Sequence, residues 1–112
     1  MDARLNTLDP SGRAVAFEFV NYARQVGIPV VVTSARRTAQ QQLKLIPAAG
    51  LYKADPATSR HVQGRAFDLA IAGFAWQEVP DRYWRWLGAV WKGAGGRWGG
   101  DFRRPDPIHF DW

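Results

Sequence analysis

Apolar side chains recur along the chain in two rhythms, and the changes of rhythm divide it into helices and strands. Val15, Phe19, Tyr22 and Val26 fall at helical spacing. Asp9 before Pro10 supplies an N-cap and a first helical position, and Gly27 supplies a stop. The spacing predicts a helix over residues 10–26 with those four apolar side chains inward. Pro29 to Ser34 holds a β-branched run, Val30-Val31-Val32-Thr33, and reads as a buried strand. Thr38 and Gln41 form a T-x-x-Q capping box for a short second helix that Pro47 ends. Residues 47–60 have no period and contain Gly, Pro and Ser, which predicts a long loop of the kind that often carries function.

Beyond the loop the rhythm shortens to two. In Ala66 to Ile71, Phe67, Leu69 and Ile71 share one face, and Ala66, Asp68 and Ala70 share the other. The small alanines leave room beside the Asp68 carboxylate. Asp81 then caps a third helix carrying Tyr83, Trp86, Leu87, Val90 and Trp91. Gly93 to Gly100 is turn-forming, and the closing Ile108 and Phe110 face opposite to His109. Helices and strands mix without a βαβ rhythm. The expected class is therefore α+β, a small antiparallel sheet with about three helices. At 112 residues, one domain spanning 1–112 is expected.

Composition narrows the function classes. Apolar content of 46%, with six Trp and six Phe, is enough for a core and argues against disorder. No apolar run approaches the roughly 20 residues of a membrane span, and residues 1–13 lack the apolar stretch of a secretory signal. Synthesis in the cytoplasm is expected. The absence of Cys excludes disulfides and a closed thiolate zinc site. A net charge of +5 favours polyanions. The arginines are scattered, however, and no nucleic-acid motif accompanies them. The tryptophans fall where a core would place them, so no nucleic-acid partner is expected.

The candidate chemistry concentrates on the chain's only two histidines. His61 and Asp68 belong to one spaced unit, Ser59-x-His61-x-x-Gly64-x-Ala66-x-Asp68, in which Gly64 permits a sharp turn. His109 follows Asp106 by three residues. Two imidazoles and one carboxylate form a three-ligand zinc set, and a fourth position left to water makes such a site catalytic. Zinc suits nitrogen and oxygen donors in this ratio better than magnesium or calcium do. Asp106 is the candidate general base, with Asp101 and Asp111 as competitors. Asp101 could instead orient a ligand from behind. Arg36 and Arg37 lie between a strand and a helix cap, where a guanidinium could hold a substrate carboxylate or steady an oxyanion.

Three blocks carry a family resemblance. They are Ser34-Ala35-Arg36-Arg37-Thr38 with Gln42 beyond, Ser59 to Asp68, and Trp98-Gly99-Gly100-Asp101-Phe102 through Asp106-Pro107-Ile108-His109-Phe110. In this order the sequence resembles the zinc peptidases that include vancomycin-resistance D-Ala-D-Ala dipeptidases and carboxypeptidases. It looks closest to the branch of phage endolysins that are L-alanyl-D-glutamate peptidases. The resemblance implies one zinc per chain on His61, Asp68 and His109, Asp106 as the catalytic carboxylate, and Arg37 rather than Arg36 as the substrate or transition-state arginine. Ser59, Gln42 and Asp101 are the further candidates for supporting a ligand or touching substrate. Ile108 stands where the family often has Pro, and Asp106 where the dipeptidase branch has Glu. The second departure favours the endolysin branch. The implied protein is a monomer acting on the peptidoglycan stem peptide after release to the cell wall, at the L-Ala–D-Glu bond. The alternatives are a D-Ala-D-Ala carboxypeptidase and, of another class, a non-catalytic zinc module that binds wall or protein.

Overall fold

The computed structural model describes residues 2–38, 40–41 and 59–112. A 3-10 turn, Ala3–Thr7, leads into helix α1, Pro10–Gln25. Strand β1 is Val30–Ser34 and β2 is Ala66–Ile71. After a 3-10 turn at Trp76–Glu78 comes helix α2, Asp81–Gly93. Strand β3, Arg97–Trp98, a 3-10 turn at Gly99–Asp101 and strand β4, His109–Asp111, close the chain. The four strands form one antiparallel sheet in the order β1-β2-β4-β3, the α+β class that the mixed rhythm predicts. Thr38 and Gln41 form the reciprocal capping box, Gln41 N–H to Thr38 Oγ1 at 3.0 Å and Thr38 N–H to Gln41 Oε1 at 2.9 Å. The extent of the helix they open, Pro47 and most of the expected loop lie outside the described residues.

Helix α1 starts where the sequence predicts, with the Asp9 carboxylate accepting from Ser11 N–H at 3.0 Å, and Gly27 follows its end at φ +95°. Its buried face, however, is Gly12, Ala16, Phe19, Val20 and Ala23. Val15, Tyr22 and Val26 are 38–49% exposed, which corrects the expectation that they point inward. The cause is close packing through small residues. A Cβ at Gly12 would lie 2.5 Å from the Trp112 indole. Tyr22 instead stacks on Trp86 at 5.8 Å.

Helix α2 buries Trp84, Leu87, Gly88 and Trp91. Trp86 and Val90 pack at the margin of the core and Tyr83 is exposed, so the apolar stripe is again turned from the one the sequence suggests. Asp81 is the first helical residue rather than the cap; its carboxylate pairs with Arg85 at 2.9 Å. Phe19, Phe67, Trp91 and Phe110 form an aromatic centre with ring separations of 5.1–6.2 Å. This core lies on one face of β2 and β4. The other face carries Asp68 and His109, so the packed aromatics fix the plane from which both project.

Candidate metal centre

Sheet register brings the first two candidate residues together. Asp68 on β2 pairs with His109 on β4 on one side and with Ser34 on β1 on the other. The third arrives from the turn before β2. Gly64 N–H donates to His61 O at 3.2 Å and Arg65 N–H to Arg60 O at 2.8 Å, closing a loop that needs Gly64 at φ +71°. That positive φ is the sharp turn the spaced unit predicts. Arg37 N–H donates to His61 O at 2.9 Å, tying the turn to the segment after β1.

The imidazoles are presented by different atoms. His61 Nδ1–H donates to the Ala35 carbonyl at 2.6 Å, which leaves Nε2 facing Asp68 Oδ1 at 3.2 Å. His109 Nε2–H donates to Asp111 Oδ2 at 2.6 Å, which leaves Nδ1 facing the same Asp68 oxygen at 3.4 Å. The three donor atoms lie within 4.8 Å of one another. Tetrahedral zinc with bonds of about 2.1 Å has edges of about 3.4 Å between ligand atoms, so the donor set fits the ion in type and spacing. The group is a candidate for one zinc.

Asp68 and His61 are buried and His109 nearly so. Burial pushes the Asp68 carboxyl up, but hydrogen bonds from His109 and His61 outweigh it and hold the group below the usual carboxylate range. Burial likewise opposes charge on His109, yet its hydrogen bonds to Asp111 and Asp68 prevail and raise it to about 9.

The two arginines have different surroundings. Arg37 Nη2 donates to Asp68 Oδ2 at 3.1 Å, the oxygen turned away from the imidazoles, and its side chain is 13% exposed. Arg36 clamps the fold instead. Its Nε donates to Thr7 O at 2.9 Å and its Nη atoms to Val62 O and Gln63 O at 3.4 Å. The guanidinium lies where a Cβ at Gly64 would be, 2.4 Å away. Arg37 is thus at the centre and Arg36 behind it.

Asp106 occupies the turn that leads into β4. Its N–H donates to Gly99 O at 2.8 Å, and its carbonyl accepts from His109 N–H at 3.1 Å. Gly99 has to be glycine for this: a Cβ there would sit 2.2 Å from Asp106 O and 2.9 Å from His109 Cβ. Trp98 Nε1–H braces the same turn through Pro107 O at 2.8 Å. Among the described residues the half-buried Asp106 carboxylate takes part in no hydrogen bond or ion pair. Asp101 pairs with Lys92 at 2.7 Å on the surface. The carboxylate behind a ligand is Asp111, which the sequence offers only as a rival base. Its signal was there: two residues on from His109 in a strand, it shares that residue's face. Ser59 is buried at the foot of the His61 turn, where its carbonyl accepts from Gln63 N–H at 3.2 Å. Gln42 lies outside the described residues.

Fold and donor set make a candidate metal centre of the open type, with two of its three protein ligands on the sheet and the third on the turn before β2. The family described as D-alanyl-D-alanine carboxypeptidase matches residues 53–112, more than half of the chain and all three candidate ligands. The chain belongs to this metallopeptidase family. Comparison with curated proteins gives no match. Among solved structures, the fold is shared with a zinc complex of a variant of the vancomycin-resistance D,D-pentapeptidase VanY from a VanB-type cassette (TM-score 0.74, 21% identity, 94% of this chain and 72% of that one). It is shared also with DacB of Streptococcus pneumoniae (0.73, 19%, 94% and 66%). The L-Ala D-Glu endopeptidase ChiX of Serratia marcescens is a third (0.69, 20%, 99% and 87%).

Proposed function

We propose that the chain is a zinc peptidase that cleaves the peptidoglycan stem peptide between L-Ala and D-Glu. The observation that carries the peptidase reading is the convergence of His61, Asp68 and His109, with Asp106 on the turn entering β4. When bound, zinc supplies Lewis-acid activation of water and of the scissile carbonyl. The remaining work belongs to side chains. Asp106, without another partner among the described residues, takes the proton of the attacking water and returns it to the departing amine as the C–N bond breaks. Arg37 holds Asp68 and brings positive charge to the edge of the site, where it steadies developing negative charge. The net charge of +5 favours adhesion to an anionic wall.

The choice of bond rests on Asp106, where the dipeptidase branch has Glu, and on the Trp98 to Phe102 block. The alignment with the L-Ala D-Glu endopeptidase ChiX, over 99% of this chain, supports it. The family's description favours a second reading, removal of a terminal D-Ala. Digestion of purified peptidoglycan followed by mass spectrometry separates them. Endopeptidase cleavage gives stems beginning at D-Glu and glycan-linked lactyl-L-Ala. Free D-Ala without new D-Glu amino termini would establish the carboxypeptidase. We also propose action at the cell wall after release from the cytoplasm, as in phage lysis. Addition of the protein to intact and to permeabilised cells tests this, with lysis of permeabilised cells expected.

A further inference from the structure

The geometry points to Asp111 as the residue that positions His109 for the metal, fixing Nδ1 as the donor atom. The inference rests on the zinc reading of the centre. His109 and Asp111 stand two apart on β4 and share its site-facing side. Asp111 pairs with Ala66 on β2 and Arg97 on β3, so a small side chain on one flank leaves space and a cation on the other fills it. Arg97 donates from Nε to Oδ1 at 2.7 Å and from Nη2 to Oδ2 at 3.0 Å. Arg60 Nε stands 3.9 Å from Oδ1, and Trp91 Nε1–H anchors the backbone through Asp111 O at 2.9 Å. The carboxylate is 1% exposed.

A buried carboxylate is costly unless it is fully paired, and this one is paired on two sides. Arg97 fixes its plane, and the short bond from His109 Nε2–H uses the oxygen so presented. That bond leaves Nδ1 as the only imidazole nitrogen free to meet Asp68 and His61. The two imidazoles are therefore held by unlike means. His61 is set by a main-chain carbonyl, which substitution cannot remove, whereas His109 is set by a side chain, which it can. Carboxylates behind ligating histidines typically contribute 10–100-fold in metal affinity.

Zinc affinity, measured by competition with a chromophoric chelator, tests this without reference to turnover. Asp111→Asn should bind zinc about 10–100-fold more weakly than the wild type. Its cobalt(II) derivative should show shifted visible bands, which a loss of stability alone would not produce. Wild-type affinity together with an unchanged cobalt spectrum in Asp111→Asn would overturn the inference while leaving the zinc centre standing. Failure of the wild type to bind zinc would overturn both. If the variant does not fold, nitrogen-15 histidine spectra of the wild-type zinc protein still decide. His109 protonated at Nε2 and metal-bound at Nδ1 is expected; the reverse assignment overturns the inference.

Discussion

Asp68 lies directly opposite His109 in the pairing of β2 with β4, and its Oδ1 stands 3.4 Å from His109 Nδ1. Two candidate ligands 41 positions apart in sequence are thus held by backbone hydrogen bonds rather than by loops. His61, seven residues before Asp68, completes the set from a turn that Gly64 and Arg36 hold closed. A site mounted on sheet register is pre-formed, which favours tight and specific metal binding.

Asp106→Asn should retain zinc and lose about 10²–10⁴-fold in turnover, the usual scale for a general base. Its backbone contacts to Gly99 and His109 survive the change. Steady-state rates on purified peptidoglycan, with zinc content measured on the same sample, provide the check. Wild-type turnover at full zinc content would move the role elsewhere.

Arg37→Ala and Arg36→Ala should fail differently. Loss of Arg37 leaves the Asp68 Oδ2 without its 3.1 Å partner, so zinc affinity and turnover should both fall. Loss of Arg36 removes the clamp on Thr7 O, Val62 O and Gln63 O, which should cost about 1–2 kcal/mol of stability and lower turnover only mildly. Denaturant unfolding and kinetics on both variants test the contrast; identical behaviour would remove it.

Gly99→Ala should destabilise by about 2 kcal/mol or more, because the new methyl group would meet the Asp106 backbone and the His109 Cβ, neither of which is the free end of a flexible side chain. Its Cβ would meet Asp106 O at 2.2 Å, so the turn that carries both Asp106 and the entry to His109 must shift. Thermal unfolding combined with activity measures this. A neutral result would mean the turn is looser than the geometry describes.

Acidity should matter in opposite senses for the two ligands. His109 is raised to about 9, so in the metal-free protein its contribution to stability is full below about 6.5 and fades as pH rises through 9. Asp68 is lowered, so its contribution is present above the ordinary carboxylate value and is lost as pH falls through its folded value. Zinc must displace the His109 proton. Apparent zinc affinity should therefore rise about tenfold per pH unit while the pH lies below about 9, and level off there. Chelator competition across that range tests the slope; a flat profile would show that no proton is released.

The ligands were legible because each sits in a local pattern: a period-two strand for Asp68 and for His109, a glycine turn for His61. Elements and their ends were legible from Asp9, Pro10, Gly27 and the Thr38–Gln41 box. The buried faces of α1 and α2 were not. The helices pack through small residues that carry no apolar signal, Gly12 against Trp112 and Gly88 against Trp98, with Ala16 and Ala23 buried on the same face of α1 as Gly12. The bond between Arg37 and Asp68 spans 31 positions and follows from the β1–β2 register, which no local pattern carries. Asp111 reads in the sequence as a rival base, and its contact with His109 follows only once the two are placed on one face of a strand.

Elemental analysis of the purified protein and of His61→Ala, Asp68→Ala and His109→Ala measures whether these three side chains hold the metal. One zinc per chain is expected in the wild type and loss of zinc in each variant, since each removes one of the three donors that lie within 4.8 Å of one another among the described residues. Full zinc occupancy in the His109→Ala protein would contradict it.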